Sequence, residues 1–249
     1  TYDNSNTDSS PMCTGTFASR ATFVAGKAAE KAAQQVKAKI LEIAGKEMEI
    51  DPADLEIEDG EVIAKGAPQT RMSVGDVAGA ATFGHGELIT GTGAQLKPYA
   101  AIVDAETGLV DAPPHSAISY ATCAAEVEVD DETGEVRVLR LQQCYDVGRA
   151  INPTQVEGQI EGGAMMGLGL GVLETCYPYY PSVEHRGGAF GSYLAPGMEE
   201  MPQIETILIE NPSADGPYGA KGIGEMANNP QPPAIAAAVY DAVGVWVTE

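Results

Sequence analysis

Basic residues are scarce in this 249-residue sequence, which has 14 Lys and Arg against 36 Asp and Glu and a formal net charge of −22 at pH 7. Because proteins bind nucleic acids largely by neutralising phosphates with cationic side chains, this balance argues against a nucleic-acid partner. The sequence also lacks the ~20 uninterrupted apolar residues of a membrane-spanning helix. Its first residues, TYDNSNTDSSP, contain no signal-peptide core. We therefore expect a cytoplasmic protein that does not act at a membrane.

Closely spaced cysteines are absent as well. The four cysteines, at positions 13, 123, 144 and 176, form no C-x-x-C pair. The sequence therefore gives no support for an iron–sulfur or structural zinc site within this chain. Wide spacing without a secretory signal predicts reduced and mostly buried thiols.

The first third of the chain has clear periodic patterns. Apolar residues recur every four positions over 22–44, which predicts an amphipathic helix with Gly45 as its C-terminal cap. The next apolar runs flank Asp59-Gly60, a strong signal for a two-residue β-hairpin turn. Ser73 is then expected to cap a short helix that extends through residue 81. Residues 84–119 have the composition of a long loop.

The remaining residues predict a second mixed region. Alternating runs over 121–147, with a turn at 131–134, indicate another hairpin. Asn152-Pro153 is a favourable helix start, residues 204–210 resemble a strand, and 234–243 resemble a helix. Hairpins and helices without regular alternation indicate an α+β fold. We expect one domain over 1–249, with possible subdomains at 1–83 and 120–249 joined by the long loop.

Three segments have residues suited to ligand binding. GPYGAKGIGE, residues 216–225, is a glycine-rich loop with one lysine and a final carboxylate, but it matches neither the phosphate-loop nor the dinucleotide fingerprint. QVEGQIEGG, residues 155–163, lies in a helix with six glycines, a pattern that favours close approach of a backbone or a ligand. TGTFASR, residues 14–20, is a polar loop that leads into the first helix. Taken singly, the three segments are better explained as a tight turn, a packing surface and a helix cap, respectively.

The order of the segments is more specific than any one of them. TGTFASRATFVAGKA, DVGRAINPTQVEGQIEGGAMMGLG and GPYGAKGIGE followed by PAIAAAVYDAVG resemble the late part of the molybdenum-binding subunit of the xanthine dehydrogenase and aldehyde oxidase family. The resemblance covers roughly residues 14–246. It implies that the chain is the C-terminal half of a molybdopterin-binding domain.

This resemblance also implies a reaction and its cofactors. Family members hydroxylate an electron-poor carbon of an N-heterocycle, such as a purine or nicotinate-like ring, or of an aldehyde, with water as the oxygen source. The cofactor would be molybdenum-molybdopterin, with the cytosine dinucleotide form as one variant. Electrons would pass to [2Fe-2S] clusters and FAD on partner domains or subunits.

The family's functional residues map onto the three segments. The glutamate of its G-x-G-E loop falls on Glu225, which the resemblance implies is the general base, and its pterin-contacting glutamine falls on Gln159. Ala18 is the residue expected nearest the metal, and a salt bridge is the alternative role for Lys221. The other predicted cofactor contacts are Thr16, Phe17, Ala18, Ser19, Lys221, Gly222 and Gly224. The histidines at 85, 115 and 185 match no family motif and are expected to be structural.

Several family features are missing from the sequence. The glycine–glutamine loop near the metal, the substrate-orienting arginine and the aromatic residues that hold a ring are not present. We therefore expect a fragment or a split subunit, whose active site is completed by the remainder of the molybdenum subunit. MANNPQPP follows Glu225 where many relatives have two prolines, which leaves the substrate open. The alternative function is a binding or assembly module that retains the fold without catalysis.

Overall fold

In the computed structural model, the described residues are 6–10, 12–13, 15–95, 103–110, 117–174, 191 and 193–246. They form two compact units, the first from residues up to 13 with 24–95 and the second from 15–23 with 103 onward. Each unit contains helices and one three-stranded sheet. The predicted α+β fold is therefore confirmed. Among the described residues, no helix has both the length and the apolar character needed to cross a bilayer.

Most of helix α1, from Val24 on, belongs to the first unit, where it covers an antiparallel sheet. The elements in chain order are α1 (Arg20–Met48), a 3-10 turn (Pro52–Asp54), β1 (Leu55–Glu58), β2 (Glu61–Ala64), β3 (Ala67–Ser73), α2 (Val74–Gly79) and a π-helical turn (Ala80–His85). Ile40, Ile43 and Ala44 of α1 are buried in the core of this unit. The C-terminal part of the four-residue apolar repeat, Val36 and Ile40, thus packs in the core with the sheet, as its period predicts.

The prediction that Gly45 caps α1 is wrong. The helix continues to Met48, and Glu49 (φ 55°) takes the left-handed conformation at its end. The Ile50 N–H then donates to the Gly45 carbonyl at 3.0 Å, the bond that closes a Schellman motif. Gly45 is required for space, because a Cβ there would lie 2.8 Å from the Ile50 carbonyl oxygen and 3.0 Å from Pro52 Cγ.

The turn and the helix cap predicted in this unit are both confirmed. Asp59 (φ 46°) and Gly60 (φ 81°) join β1 to β2, since Glu58 pairs with Glu61. The Ser73 hydroxyl accepts the Asp76 N–H at 3.0 Å and so caps α2. Strand β3 was not predicted, because most of its residues are exposed and show no apolar alternation.

The second unit contains a mixed sheet in the order β4-β5-β6. Its elements are β4 (Ala121–Val129), β5 (Val136–Asp146), α3 (Pro153–Val172), β6 (Gln203–Ile209), two 3-10 turns (Pro217–Gly219 and Glu225–Asn228) and α4 (Gln231–Val243). The β4–β5 hairpin is confirmed, whereas the parallel pairing of β6 with β5 was not predicted. Helix α4 begins three residues earlier than expected, because its prolines lie in the first turn, where they need no hydrogen-bond partner.

Glycines allow α3 to pack closely against the end of the chain. Asn152 caps the helix by accepting the Gln155 N–H at 3.3 Å, as predicted. A Cβ on Gly163 would overlap Ala227, and one on Gly167 would lie 2.5 Å from Gln231 Oε1. The expected close approach of another backbone is thus found at Gly163.

The predicted burial of the thiols is wrong for the residues that can be described. Cys13 is exposed, and Cys123 and Cys144 are half-buried, while Cys176 lies outside the described residues. His85 contacts Glu47, with 2.8 Å between Nε2 and Oε1, which fits the structural role expected for it. The other two histidines also lie outside the described residues.

Candidate functional site

The glycine-rich loop returns to the end of β5 within the second unit. Gly148 and Ala220 form an isolated antiparallel bridge, and the Lys221 N–H donates to the Val147 carbonyl at 3.0 Å. Gly148 must be glycine here, because it has φ 66° and a Cβ would lie 2.8 Å from the Lys221 nitrogen. The loop is therefore fixed by backbone contacts before it reaches Glu225.

The Lys221 side chain forms a buried ion pair. Its Nζ lies 2.7 Å from Asp146 Oδ2, and each side chain is only 7% exposed. Burial raises the pKa of the Asp146 carboxyl, but hydrogen bonds from Lys221, the Gly148 N–H and Asn211 outweigh this, so the pKa lies below its ordinary value. Asp146 is therefore a carboxylate at neutral pH, and the ammonium of Lys221 is held inside the protein.

Ser19 connects the polar loop before α1 to Glu225. The Ser19 hydroxyl accepts the Glu225 backbone N–H at 2.7 Å, and the Ser19 carbonyl lies so close to Gly222 that no Cβ could fit there. Ala18 (φ 49°) and Ser19 (φ 54°) both have left-handed backbone conformations, which are uncommon for residues other than glycine. The family resemblance predicted Ser19 as a cofactor contact but not as a direct partner of the glutamate.

All three predicted segments meet in this unit. Gln159 on α3 donates through Nε2 to the Gly224 carbonyl, at 3.5 Å. A pocket of about 350 Å³ opens between the segments. Its wall includes the predicted residues Thr16, Ser19, Gln159, Lys221 and Gly224, together with Arg149, Asn152 and Gln155.

The other predicted residues lie beside the pocket rather than in its wall. Phe17 is 53% exposed, and the Arg20 guanidinium lies 5.2 Å from the centre of its ring. Gly222 packs on Ser19 behind the pocket. The Glu225 side chain is exposed, although its backbone is fixed next to the Gln159 contact. The dry surroundings expected for a catalytic carboxylate are therefore not supplied by the described residues.

A buried polar cluster supports the segment that follows Glu225. Gln231 Nε2 lies 2.6 Å from Gln143 Oε1 and 2.9 Å from both the Tyr145 hydroxyl and the Ala227 carbonyl. The Tyr145 hydroxyl is also 3.0 Å from the Ala227 carbonyl. Burial raises the pKa of Tyr145 to about 12. No sequence pattern pointed to this cluster, because its members come from segments that lie far apart in the sequence.

The pocket wall suits a pterin cofactor. Pterins present alternating hydrogen-bond donors and acceptors, and the amides of Asn152, Gln155 and Gln159 can provide both. The hydroxyl of Thr16 and the cation of Arg149 add groups suited to a phosphate. Gly222 and Gly224 pack closely on Ser19, which brings the backbone of the glycine-rich loop against the polar loop before α1. Among the described residues, no cluster of three or more His, Cys, Asp or Glu could ligate a metal.

Comparisons with known proteins identify the family. Residues 1–202 match a family model described as molybdopterin cofactor-binding domain. The chain belongs to this family. It is 35% identical over 246 residues to 6-hydroxypseudooxynicotine dehydrogenase complex subunit gamma of Paenarthrobacter nicotinovorans, with 96% of this chain and 29% of that protein covered. The predicted resemblance to molybdenum-binding subunits is thereby confirmed.

Solved structures show the same fold. Quinoline 2-oxidoreductase from Pseudomonas putida 86 matches with a TM-score of 0.74 and 31% identity, over 92% of this chain and 28% of that one. Reconstituted CO dehydrogenase from Oligotropha carboxidovorans matches with a TM-score of 0.77 and 27% identity, over 96% of this chain and 28% of that one. The chain thus spans less than a third of the length of these relatives.

Proposed function

We propose that this chain forms one wall of the active site of a molybdenum hydroxylase and that Glu225 is its general base. The observation that carries this proposal is the position of Glu225, whose amide is bonded to Ser19 and whose neighbour Gly224 is bonded to Gln159. A single carboxylate is thereby fixed at the pocket where the three family segments meet. When bound, the molybdenum pterin would supply oxygen derived from water and accept two electrons from the substrate.

The chain's own residues would hold the pterin through polar groups. Gln159, Asn152 and Gln155 would bind its ring edge, and Thr16 with Arg149 would bind its phosphate. The backbone of Phe17, Ala18 and Ser19 would lie along the cofactor, as the family resemblance implies. Gly222 and Gly224 allow the loop backbone to approach. Lys221 would contribute through its backbone, because its ammonium is bonded to Asp146.

Glu225 would act as a general base by accepting a proton on its carboxylate oxygen. A carboxylate becomes a stronger base when water is excluded, because burial disfavours its charged form. Its side chain is exposed here, so we propose that the remainder of the molybdenum subunit encloses it. A positioned general base contributes about 10²–10⁴-fold to the rate.

The remaining partners follow from the same proposal. One relative is named as a subunit of a complex, and we propose that [2Fe-2S] and FAD domains or subunits accept the electrons in the cytoplasm. The relatives named for a nicotine derivative and for quinoline favour an N-heterocycle as the substrate. An aldehyde remains the alternative substrate class.

The test is Glu225→Gln in the purified complex. We expect molybdenum content to stay near normal while turnover of quinoline, hypoxanthine or benzaldehyde falls by about 10²-fold or more, as for the loss of a general base. Glu135→Gln is the matched control, since Glu135 is an exposed carboxylate on the β4–β5 turn. Turnover close to that of the unmodified complex would contradict the role of Glu225. A complex without molybdenum or iron would instead favour a non-catalytic binding or assembly module.

A further inference from the structure

The ion pair of Asp146 and Lys221 stands out by its burial. Among the described residues, these are the only charged side chains that are buried. Their charged atoms are 2.7 Å apart, in a chain whose other ion pairs in the described region lie at more exposed positions. Burying two charges removes their hydration, and an apolar pair of similar volume often gives equal or greater stability. A role beyond general stability is therefore worth testing.

The contacts of the Asp146–Lys221 pair connect the end of β5 to the glycine-rich loop that carries Glu225. Asp146 is the last residue of β5, and its carboxylate accepts both the Lys221 ammonium and the Gly148 N–H, the latter at 3.1 Å. The Lys221 backbone N–H donates to the neighbouring Val147 carbonyl. Lys221 is thus held at its backbone and at the tip of its side chain by the same strand end.

Little freedom remains between Lys221 and the glutamate four residues later. Gly222 is pressed against the Ser19 carbonyl, and Ile223 packs on the buried cluster that contains Tyr145 and Val147. The Glu225 N–H then donates to the Ser19 hydroxyl. A shift of Lys221 would therefore be transmitted to Glu225 rather than absorbed in a flexible stretch.

We infer that Asp146, acting through Lys221, is a positioning residue for Glu225. The inference rests on the proposed function, because it assumes that the position of this carboxylate matters for turnover. Asp146 itself would touch neither substrate nor cofactor. Its pair with Lys221 would set the point at which the glycine-rich loop is held against the end of β5, and with it the distance of the base from the bound substrate.

The experiment compares Asp146→Asn, Lys221→Met and the double variant in the purified complex. The double variant is decisive, since it leaves no unpaired buried charge and should fold even if Lys221→Met alone does not. Glu61→Gln is the matched control, because it neutralises one partner of the exposed Glu61–Arg71 pair of the first unit. The measurements are molybdenum content, hydrogen exchange of peptides covering 219–228, and kcat and KM with quinoline, hypoxanthine or benzaldehyde.

We expect the double variant to keep its molybdenum, to exchange the loop amides about tenfold faster, and to lose about tenfold or more in kcat with little change in KM. In a Glu225→Gln background, the same substitutions should cause no further loss of kcat, because they act through that carboxylate. Unchanged loop exchange, or a further loss that adds to that of Glu225→Gln, would overturn the inference. Loss of molybdenum would overturn it as well, since Lys221 would then be a cofactor contact. If Glu225→Gln alone turns over normally, the proposed function is contradicted. Faster loop exchange in the double variant would then still show that the Asp146–Lys221 pair holds the loop in place.

Discussion

Replacing Gly163 by alanine tests how closely α3 packs against the segment that follows Glu225. A Cβ at Gly163 would overlap the Ala227 side chain and lie 2.8 Å from its carbonyl carbon and 2.9 Å from its carbonyl oxygen. At the adjacent Gly162, no heavy atom outside the nearby backbone of α3 lies within 4 Å of the corresponding Cβ position. Both glycines are inside α3. The two substitutions should therefore give similar gains in helix propensity and differ mainly in packing.

The expected magnitudes follow from these distances. Alanine in a helix interior is more favourable than glycine by about 0.8–1 kcal/mol, so Gly162→Ala should stabilise the second unit by up to about 1 kcal/mol. Gly163→Ala has the same gain but forces a methyl group into a filled space, which typically costs about 1–3 kcal/mol. Ala227 cannot easily retreat, because its carbonyl is bonded to Tyr145 and Gln231. The two variants should therefore differ by about 2 kcal/mol.

Urea unfolding monitored by tryptophan fluorescence measures this difference. Trp246 is the only tryptophan of the chain, and its ring stacks on Tyr240 of α4 with 4.5 Å between centroids. Its fluorescence therefore reports on the second unit. With a urea dependence of about 2 kcal/mol per M, the unfolding midpoints should differ by about 1 M. Equal midpoints, or a higher midpoint for Gly163→Ala, would refute the tight contact between α3 and Ala227.

Two further predictions concern ionisation. Burial raises the pKa of Tyr145 to about 12 from an ordinary 10.0, so its contribution to stability is complete below pH 10 and decreases as the pH rises towards 12. Urea midpoints at a series of alkaline pH values should show this decrease, and Tyr145→Phe should weaken it; an unchanged pH dependence in that variant would be inconsistent with the burial of Tyr145. Burial also raises the pKa of Cys123 to about 11. Iodoacetamide should therefore alkylate it about tenfold more slowly in the folded chain than in urea, and peptide mass spectrometry showing equal rates would contradict this.

Features determined by a few neighbouring residues could be predicted from the sequence. The Asp59-Gly60 turn follows from the ease with which these residues take positive φ, and the caps at Ser73 and Asn152 follow from side chains that accept an amide two or three residues on. The end of α1 was misplaced for an equally local reason. Gly45 is a typical capping residue, but Glu49 adopts the left-handed conformation and Gly45 makes room for Pro52 instead.

The contacts that assemble the site could not be predicted in this way. Ser19 and Glu225 are 206 residues apart in sequence, and Asp146 and Lys221 are 75 apart. Periodicity describes which face of one element is buried, but it does not specify which side chains of distant elements meet. The family resemblance selected three segments that meet in the second unit. It left the partner of the Lys221 ammonium undetermined, and the structure identifies that partner as Asp146.

Burial is distributed unevenly around Glu225, and this separates two requirements of a catalytic base. The groups that fix its segment, Asp146, Lys221, Tyr145 and Gln231, are all buried, whereas the carboxylate itself is exposed. The segment that carries the proposed base is thus held from within this chain, because the buried hydrogen bonds of these four groups are shielded from competing water. Exclusion of water from the base is not provided by the described residues. Substitutions at the anchors should therefore change where the carboxylate lies, while substitutions in the proposed remainder of the molybdenum subunit should change how strongly it binds a proton.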